Sequence, residues 1–111
     1  MQGYDAEAAR KYIVTHLDPK AFRKLKGQLD ALVDEMIRFD LQFMHESGVL
    51  DENGEQGENE YDDDEAFEYI YDAWLQAHPN VDDEEMQIAA LIDAYMELQY
   101  SYLDSNGLTD L

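Results

Sequence analysis

Residues Phe22, Leu25, Leu29, Leu32, Met36, Phe39 and Phe43 recur at alternating spacings of three and four, and this seam constrains the fold more than any other feature of the chain. Positions three and four apart share one face of an α-helix, whereas a half-buried strand needs a period of two. Val33, Ile37 and Met44 widen the seam into a stripe that must face a core. The pattern predicts a helix over 19–47. Asp18 suits its N-cap and Pro19 its first position, where a missing N–H costs nothing. Gly48 followed by apolar Val49 reads as a Schellman stop. Gly27, inside this span, costs about 1 kcal/mol relative to Ala and is expected to mark a bend or a close contact.

The second half of the chain repeats the first. At an offset of 59, Ala31-Leu32-Val33-Asp34 falls on Ala90-Leu91-Ile92-Asp93, and Leu29, Leu32, Met36, Phe39 and Phe43 fall on Ile88, Leu91, Tyr95, Leu98 and Tyr102. The stop Gly48-Val49 falls on Gly107-Leu108, and Asp82 with Glu85 makes a capping-box-like start. At an offset of 57, Tyr4-Asp5, Ala9 and Tyr12-Ile13 fall on Tyr61-Asp62, Ala66 and Tyr69-Ile70. The expected fold is all-α: a four-helix array with helices near 5–17, 19–47, 62–77 and 83–106. The pattern reads as a duplicated short-helix/long-helix hairpin with pseudo-twofold symmetry. The organisation is one domain, 1–111, with hairpin 1 at about 4–48, an acidic loop at 49–61 and hairpin 2 at about 61–107. Leu32, Met36, Ile70, Trp74, Leu91 and Tyr95 are expected in a single core.

Charge is divided as sharply as the helices are repeated. All seven basic residues precede Phe39, and residues 39–111 hold 21 carboxylates and no Lys or Arg. A solubility pressure would spread acid over every surface. Acid confined to one region creates a directional field that attracts cationic surfaces and repels nucleic acid and anionic lipid. With 45% hydrophobic and 12% aromatic residues the chain can still bury a core. There is no Cys, so thiolate metal sites and disulfides are unavailable. Neither a signal-peptide pattern nor a membrane-length apolar run is visible, and a cytoplasmic protein is expected.

Several chemistries lack their residues. In an EF-hand reading of Asp51, Asn53 and Glu55, position six is Gln56 rather than Gly and position twelve is Asp62 rather than Glu. A di-iron bundle needs Glu-x-x-His, but Ile13, Gln42 and Leu75 stand three before His16, His45 and His78. No His pair has zinc spacing, and no Ser or Thr has a suggestive base. Neither an enzyme nor a bound metal or cofactor is expected.

The carboxylates instead form surfaces. Helix 3 is expected to bury Ala66, Phe67, Ile70, Trp74 and Ala77, leaving Glu65, Glu68, Tyr69 and Asp72 outside, with Asp62, Asp63 and Asp64 at its start. Helix 4 sets Asp93, Glu97, Tyr100 and Asp104 on one face about 16 Å long. No basic residue interleaves with either stripe. Lys20, Arg23, Lys24 and Lys26 are expected near Asp82, Asp83, Glu84 and Glu85, because helices 2 and 4 start at the same end of an up-down array.

These 11 residues, Asp62 to Asp104, are the expected partner-binding set. The partner is a basic nucleic-acid-binding protein or nuclease whose cationic groove they occupy in place of phosphates, with no direct contact to nucleic acid or membrane. In size, charge and helicity the chain resembles the small acidic inhibitors that phages and mobile elements use against restriction or CRISPR nucleases. It also resembles the acidic helical immunity proteins that block nuclease toxins. No motif carries the resemblance, which implies an inhibitor by DNA mimicry. The alternative is an acidic helical adaptor or subunit that binds through an apolar helix face, as a homodimer for instance, using Tyr71 and Tyr100.

Overall fold

The computed structural model describes residues 4–18, 20–25, 27–50, 57–78 and 85–107. It is all-helical: α1 (Ala6–His16), α2 (Leu29–Ser47), α3 (Asp63–Ala77) and α4 (Glu85–Ser105), with a short 3-10 turn at Arg23–Leu25. The two short helices start alike. Asp5 Oδ1 accepts the amides of Glu7 and Ala8 at 3.0 and 3.2 Å, and Asp62 Oδ1 accepts those of Asp64 and Glu65 at 3.0 and 3.1 Å. Each carboxylate satisfies two orphan donors and opposes the positive end of its helix dipole.

The long helix of the first hairpin begins ten residues later than its seam predicts. Gly27 has φ +86°, a left-handed conformation that no continuing right-handed helix contains. It separates the 3-10 turn from α2. Phe22 and Leu25 remain buried even so, because the turn still delivers both side chains to the main core. Pro19, assigned to the first turn, lies outside the described residues.

The end of α2 falls at Gly48, as expected, with φ +82°. The closing bond differs from a Schellman bond by one residue: the Leu50 amide, not that of Val49, donates to Met44 O at 3.0 Å. Val49 and Leu50 are both buried, so the first two residues of the expected acidic loop at 49–61 belong to the packed interior. The far end of the loop is tied to the same place. Gly57 N donates to Val49 O at 2.8 Å, Asn59 N to Gly48 O at 3.1 Å, and Asn59 Nδ2 to Ser47 O at 2.6 Å. The backbones cross so closely that a Cβ on Gly57 would lie 2.2 Å from Gly48 O. Residues 51–56, the first half of the candidate calcium loop, lie outside the described residues.

Each short helix packs against both long ones, and α2 and α4 touch each other only sparingly. Leu32, Met36, Ile70, Trp74, Leu91 and Tyr95 share one core, as predicted, joined by Ala9 and Ile13 of α1. Phe43, Met44, Val49, Leu50 and Ala66 form a smaller cluster under the loop. Two assignments on α3 change: Phe67 is half-buried and Ala77 exposed, since α3 is wedged between two partners and neither residue points at the seam between them.

Positions related by the two offsets match individually. Ala9 and Ala66, Ile13 and Ile70, Leu32 and Leu91, and Phe43 and Tyr102 are buried pairs, and Gly48 and Gly107 both have positive φ. The pseudo-twofold relation of the hairpins remains a reading of the sequence pattern.

Candidate functional site

The acidic stripes meet across one groove. Asp63, Asp64 and Glu68 of α3 face Asp93 and Glu97 of α4, with Phe67, Met96 and Ser101 between them and Tyr100 at one end. All five carboxylates are exposed. Tyr100, 64% exposed, is the one large hydrophobic side chain that stands out into solvent among the described residues. The geometry follows from α3 and α4 packing side by side. Their apolar seams close below, and the flanking residues of each helix become the two walls.

The remaining predicted residues are distributed differently. Asp62 is spent on the α3 cap. Tyr69 and Asp72 line a separate depression against Phe39 and Gln42 of α2, and the Tyr69 hydroxyl donates to Glu46. Glu65 and Asp104 are exposed and line neither groove. Helix 3 thus presents two acidic edges rather than one, because it is flanked by α2 on one side and α4 on the other.

Beside the groove, and sharing Asp63, Met96 and Tyr100 with it, is a cavity of about 230 Å³ between α2, α4 and the start of α3. Asp40 lines it and is only 1% exposed. Its Oδ1 accepts the Tyr61 hydroxyl at 2.8 Å and its Oδ2 the Tyr95 hydroxyl at 2.7 Å. Burial drives the Asp40 pKa from 3.8 to about 6; the two tyrosine donors hold the rise back, and the charge of Asp63 adds to it. Burial and the Asp40 charge push Tyr61 and Tyr95 far above the usual phenol range, so both stay protonated donors. Gln99, 3% exposed, completes the polar part of the lining, and its Nε2 donates to Tyr4 Oη at 2.7 Å.

Asp40 and Gln99 are the two buried polar residues among those described, and they were absent from the expected site. Their signal was present in the sequence. Asp40 lies three and four residues from Ile37, Met36, Phe43 and Met44, and Gln99 from Met96, Tyr95, Tyr102 and Leu103. They are also 59 apart, the offset of the repeat. A polar residue centred on an apolar stripe is buried by its neighbours and then needs partners.

The described ion pairs lie elsewhere. Arg10 reaches Asp30 at 3.9 Å, Lys11 reaches Glu7 at 3.7 Å, and His78, stacked on Trp74, reaches Glu35 at 2.9 Å. None involves a groove carboxylate or Asp40. The expected pairing of Lys20–Lys26 with Asp82–Glu85 lies largely outside the described residues. Among the described residues no helix is long and apolar enough to cross a membrane, and no group of three His, Asp or Glu is arranged to hold a metal. Comparison of the chain with protein-family models, with curated proteins and with solved structures finds no match.

Proposed function

We propose that this protein is a non-enzymatic inhibitor that binds the cationic groove of a nucleic-acid-binding protein or nuclease, its carboxylates standing in for phosphates. The observation that carries the reading is the α3–α4 groove, where Asp63, Asp64, Glu68, Asp93 and Glu97 gather without a basic neighbour among the described residues. At 1.5 Å rise per residue these five charges occupy about 6–8 Å of each helix axis. Duplex DNA, at one charge per about 1.7 Å, carries between four and five over 8 Å. The charge density therefore suits a surface built to hold DNA. Asp93 and Glu97 stand four apart on one helix face, an arrangement that repels itself by a few tenths of a kcal/mol. Retaining it without an interleaved Lys fits a surface kept for a cationic partner. Tyr100, exposed beside the charges, has the character of an interface anchor.

The apolar-face adaptor or homodimer has less support. Tyr71 is half-buried and stacked on Phe67, which leaves Tyr100 alone among the described residues where that reading needs a contiguous apolar patch.

The test uses the whole chain immobilised at low salt in cell lysate, with Asp93→Lys/Glu97→Lys as the paired variant. The retained protein is then assayed for duplex DNA binding with and without the chain. The expected result is a nucleic-acid-binding protein whose DNA is displaced. Association should slow by on the order of tenfold for the variant, and similarly for the wild type at high salt. A partner whose affinity ignores both salt and reversal would move the assignment to the apolar face.

A further inference from the structure

We infer that the cavity at the end of the α3–α4 groove is a socket for one arginine side chain of the protein bound there. The protein origin of that arginine rests on the reading above; the preference of the cavity for a guanidinium does not.

The acceptors in this cavity outnumber its donors. Asp40 is buried with a single neutral hydroxyl on each oxygen, and an ionised carboxylate has about four lone-pair positions. No basic residue lies within ion-pair distance of it among the described residues. Gln99 has a buried amide oxygen with no hydrogen-bond partner among the described residues, its nitrogen being committed to Tyr4. A buried charge without a counter-charge and a buried acceptor without a donor both carry a desolvation cost. One cationic, donor-rich group would relieve the two together.

The walls narrow the choice among cations. Met44, Met96 and Leu103 offer apolar surface to an aliphatic stem, and the Tyr61 and Tyr100 side chains add aromatic surface. A guanidinium is planar, weakly hydrated, stacks on aromatic rings and carries five donors and no acceptor. An ammonium is compact and strongly hydrated, so it loses more on leaving water and reaches fewer acceptors. Asp63, Met96 and Tyr100 belong to both groove and cavity. A segment lying along the groove can therefore turn one side chain into the socket, its charge drawn in past Asp63.

Occupation by a cation favours ionised Asp40. Among the described residues the titratable groups around that carboxylate are Tyr61 from the segment before α3, Asp63 of α3, Tyr95 and Tyr100 of α4 and Tyr4 before α1, all acidic or neutral. With the Asp40 pKa at about 6, guanidinium affinity should be about tenfold weaker at pH 5 than at pH 7.

The experiment is a methyl NMR titration of the full chain with n-butylguanidinium, n-butylammonium and n-butanol at pH 5 and pH 7. The expected result is saturable shifts of the Met44, Met96 and Leu103 methyls, tightest with the guanidinium, weaker with the ammonium and absent with the alcohol. Asp40→Asn should weaken guanidinium binding at least tenfold, and Met96→Trp, which fills the mouth without touching Asp40, should abolish it. If Asp40→Asn fails to fold, Met96→Trp and the pH dependence of the wild type decide. No shift at those methyls overturns the inference, as does equal binding of the alcohol, tighter binding of the ammonium, or indifference to pH. Asp93→Lys/Glu97→Lys separates this inference from the groove reading, because it should slow the partner's association while leaving the order of the three probes unchanged. A failed titration with a salt-sensitive partner removes only the socket. A guanidinium-selective titration without such a partner keeps the socket and removes the proposed function.

Discussion

Replacing Asp40 by Asn should change how stability depends on pH, and the size of the change follows from the site. Asp40 sits almost wholly out of water and binds its proton with a pKa near 6, against 3.8 for an ordinary Asp. Between those values the native state holds a proton that the unfolded chain has lost, so stability falls as pH rises. The contribution is fully present below 3.8 and is lost as pH passes through 6. It amounts to about 3 kcal/mol over the full range at 1.36 kcal/mol per pKa unit. The isoelectric point of about 4.1 makes the lower part of that range impractical for solubility. Between pH 5 and pH 8 the accessible part is about 1.4 kcal/mol, or roughly 5–8 °C in Tm. Asn keeps the shape, accepts one tyrosine hydroxyl and donates to the other, but does not titrate. The measurement is urea unfolding of both proteins at half-unit steps of pH, read as the difference wild type minus Asp40→Asn. Titrations common to both proteins, the three histidines included, cancel in that difference. The wild type should lose about 1.4 kcal/mol relative to the variant on going from pH 5 to pH 8. A flat difference would mean that the carboxylate is hydrated in the folded protein. A rise with pH would mean that the tyrosines outweigh burial, and the account of the site would be wrong.

Trp74→Ala removes the largest fully buried side chain and should cost about 3–5 kcal/mol in equilibrium unfolding, with the His78–Glu35 pair loosened because His78 stacks on the lost ring. Gly57→Ala places a Cβ 2.2 Å from the Gly48 carbonyl oxygen, where only backbone could yield. It should destabilise by about 1–3 kcal/mol and abolish hydrogen-exchange protection of the Gly57 and Asn59 amides, whereas preserved protection would refute the anchored-loop geometry. Gly27→Ala meets no neighbouring atom but keeps φ +86°, so denaturation should report only about 1–2 kcal/mol of backbone strain. Asp93→Lys/Glu97→Lys should leave stability unchanged or raise it slightly: the two positions stay like-charged, but their lysines face Asp63, Asp64 and Glu68 across the groove and turn repulsion there into attraction; a marked loss would show that these carboxylates hold the fold.

The helical class, the end of α2 at Gly48, the start of α3 at Asp62 and the shared core of Leu32, Met36, Ile70, Trp74, Leu91 and Tyr95 were legible in spacing alone. Each depends on local geometry: 3.6 residues per turn decides which side chains share a face, and a carboxylate before a helix finds the nearest free amides. The start of α2 departs from the seam because periodicity survives an interruption. Phe22 and Leu25 continue the seam across Gly27, yet one positive φ ends the helix between them and Leu29. The burial of Asp40 and Gln99 is masked in the sequence for a related reason. Each interrupts a stripe that reads as apolar on either side, and the chain's wealth of carboxylates made one more look unremarkable.

What the sequence by itself determined is therefore one-dimensional: which segments are helical, which faces are apolar, and that no Lys or Arg follows Arg38. The grouping of carboxylates was decided by the tertiary structure, because a helix flanked by two neighbours turns two edges outward rather than one face. Packing α3 between α2 and α4 sends Glu68 to one groove and Tyr69 and Asp72 to another. It also brings Tyr61 and Tyr95, 21 and 55 residues away in sequence, onto the two oxygens of Asp40. Spacing along a helix carries no information about such distant partners, because a buried carboxylate is satisfied by whichever donors the packing of other elements delivers to it.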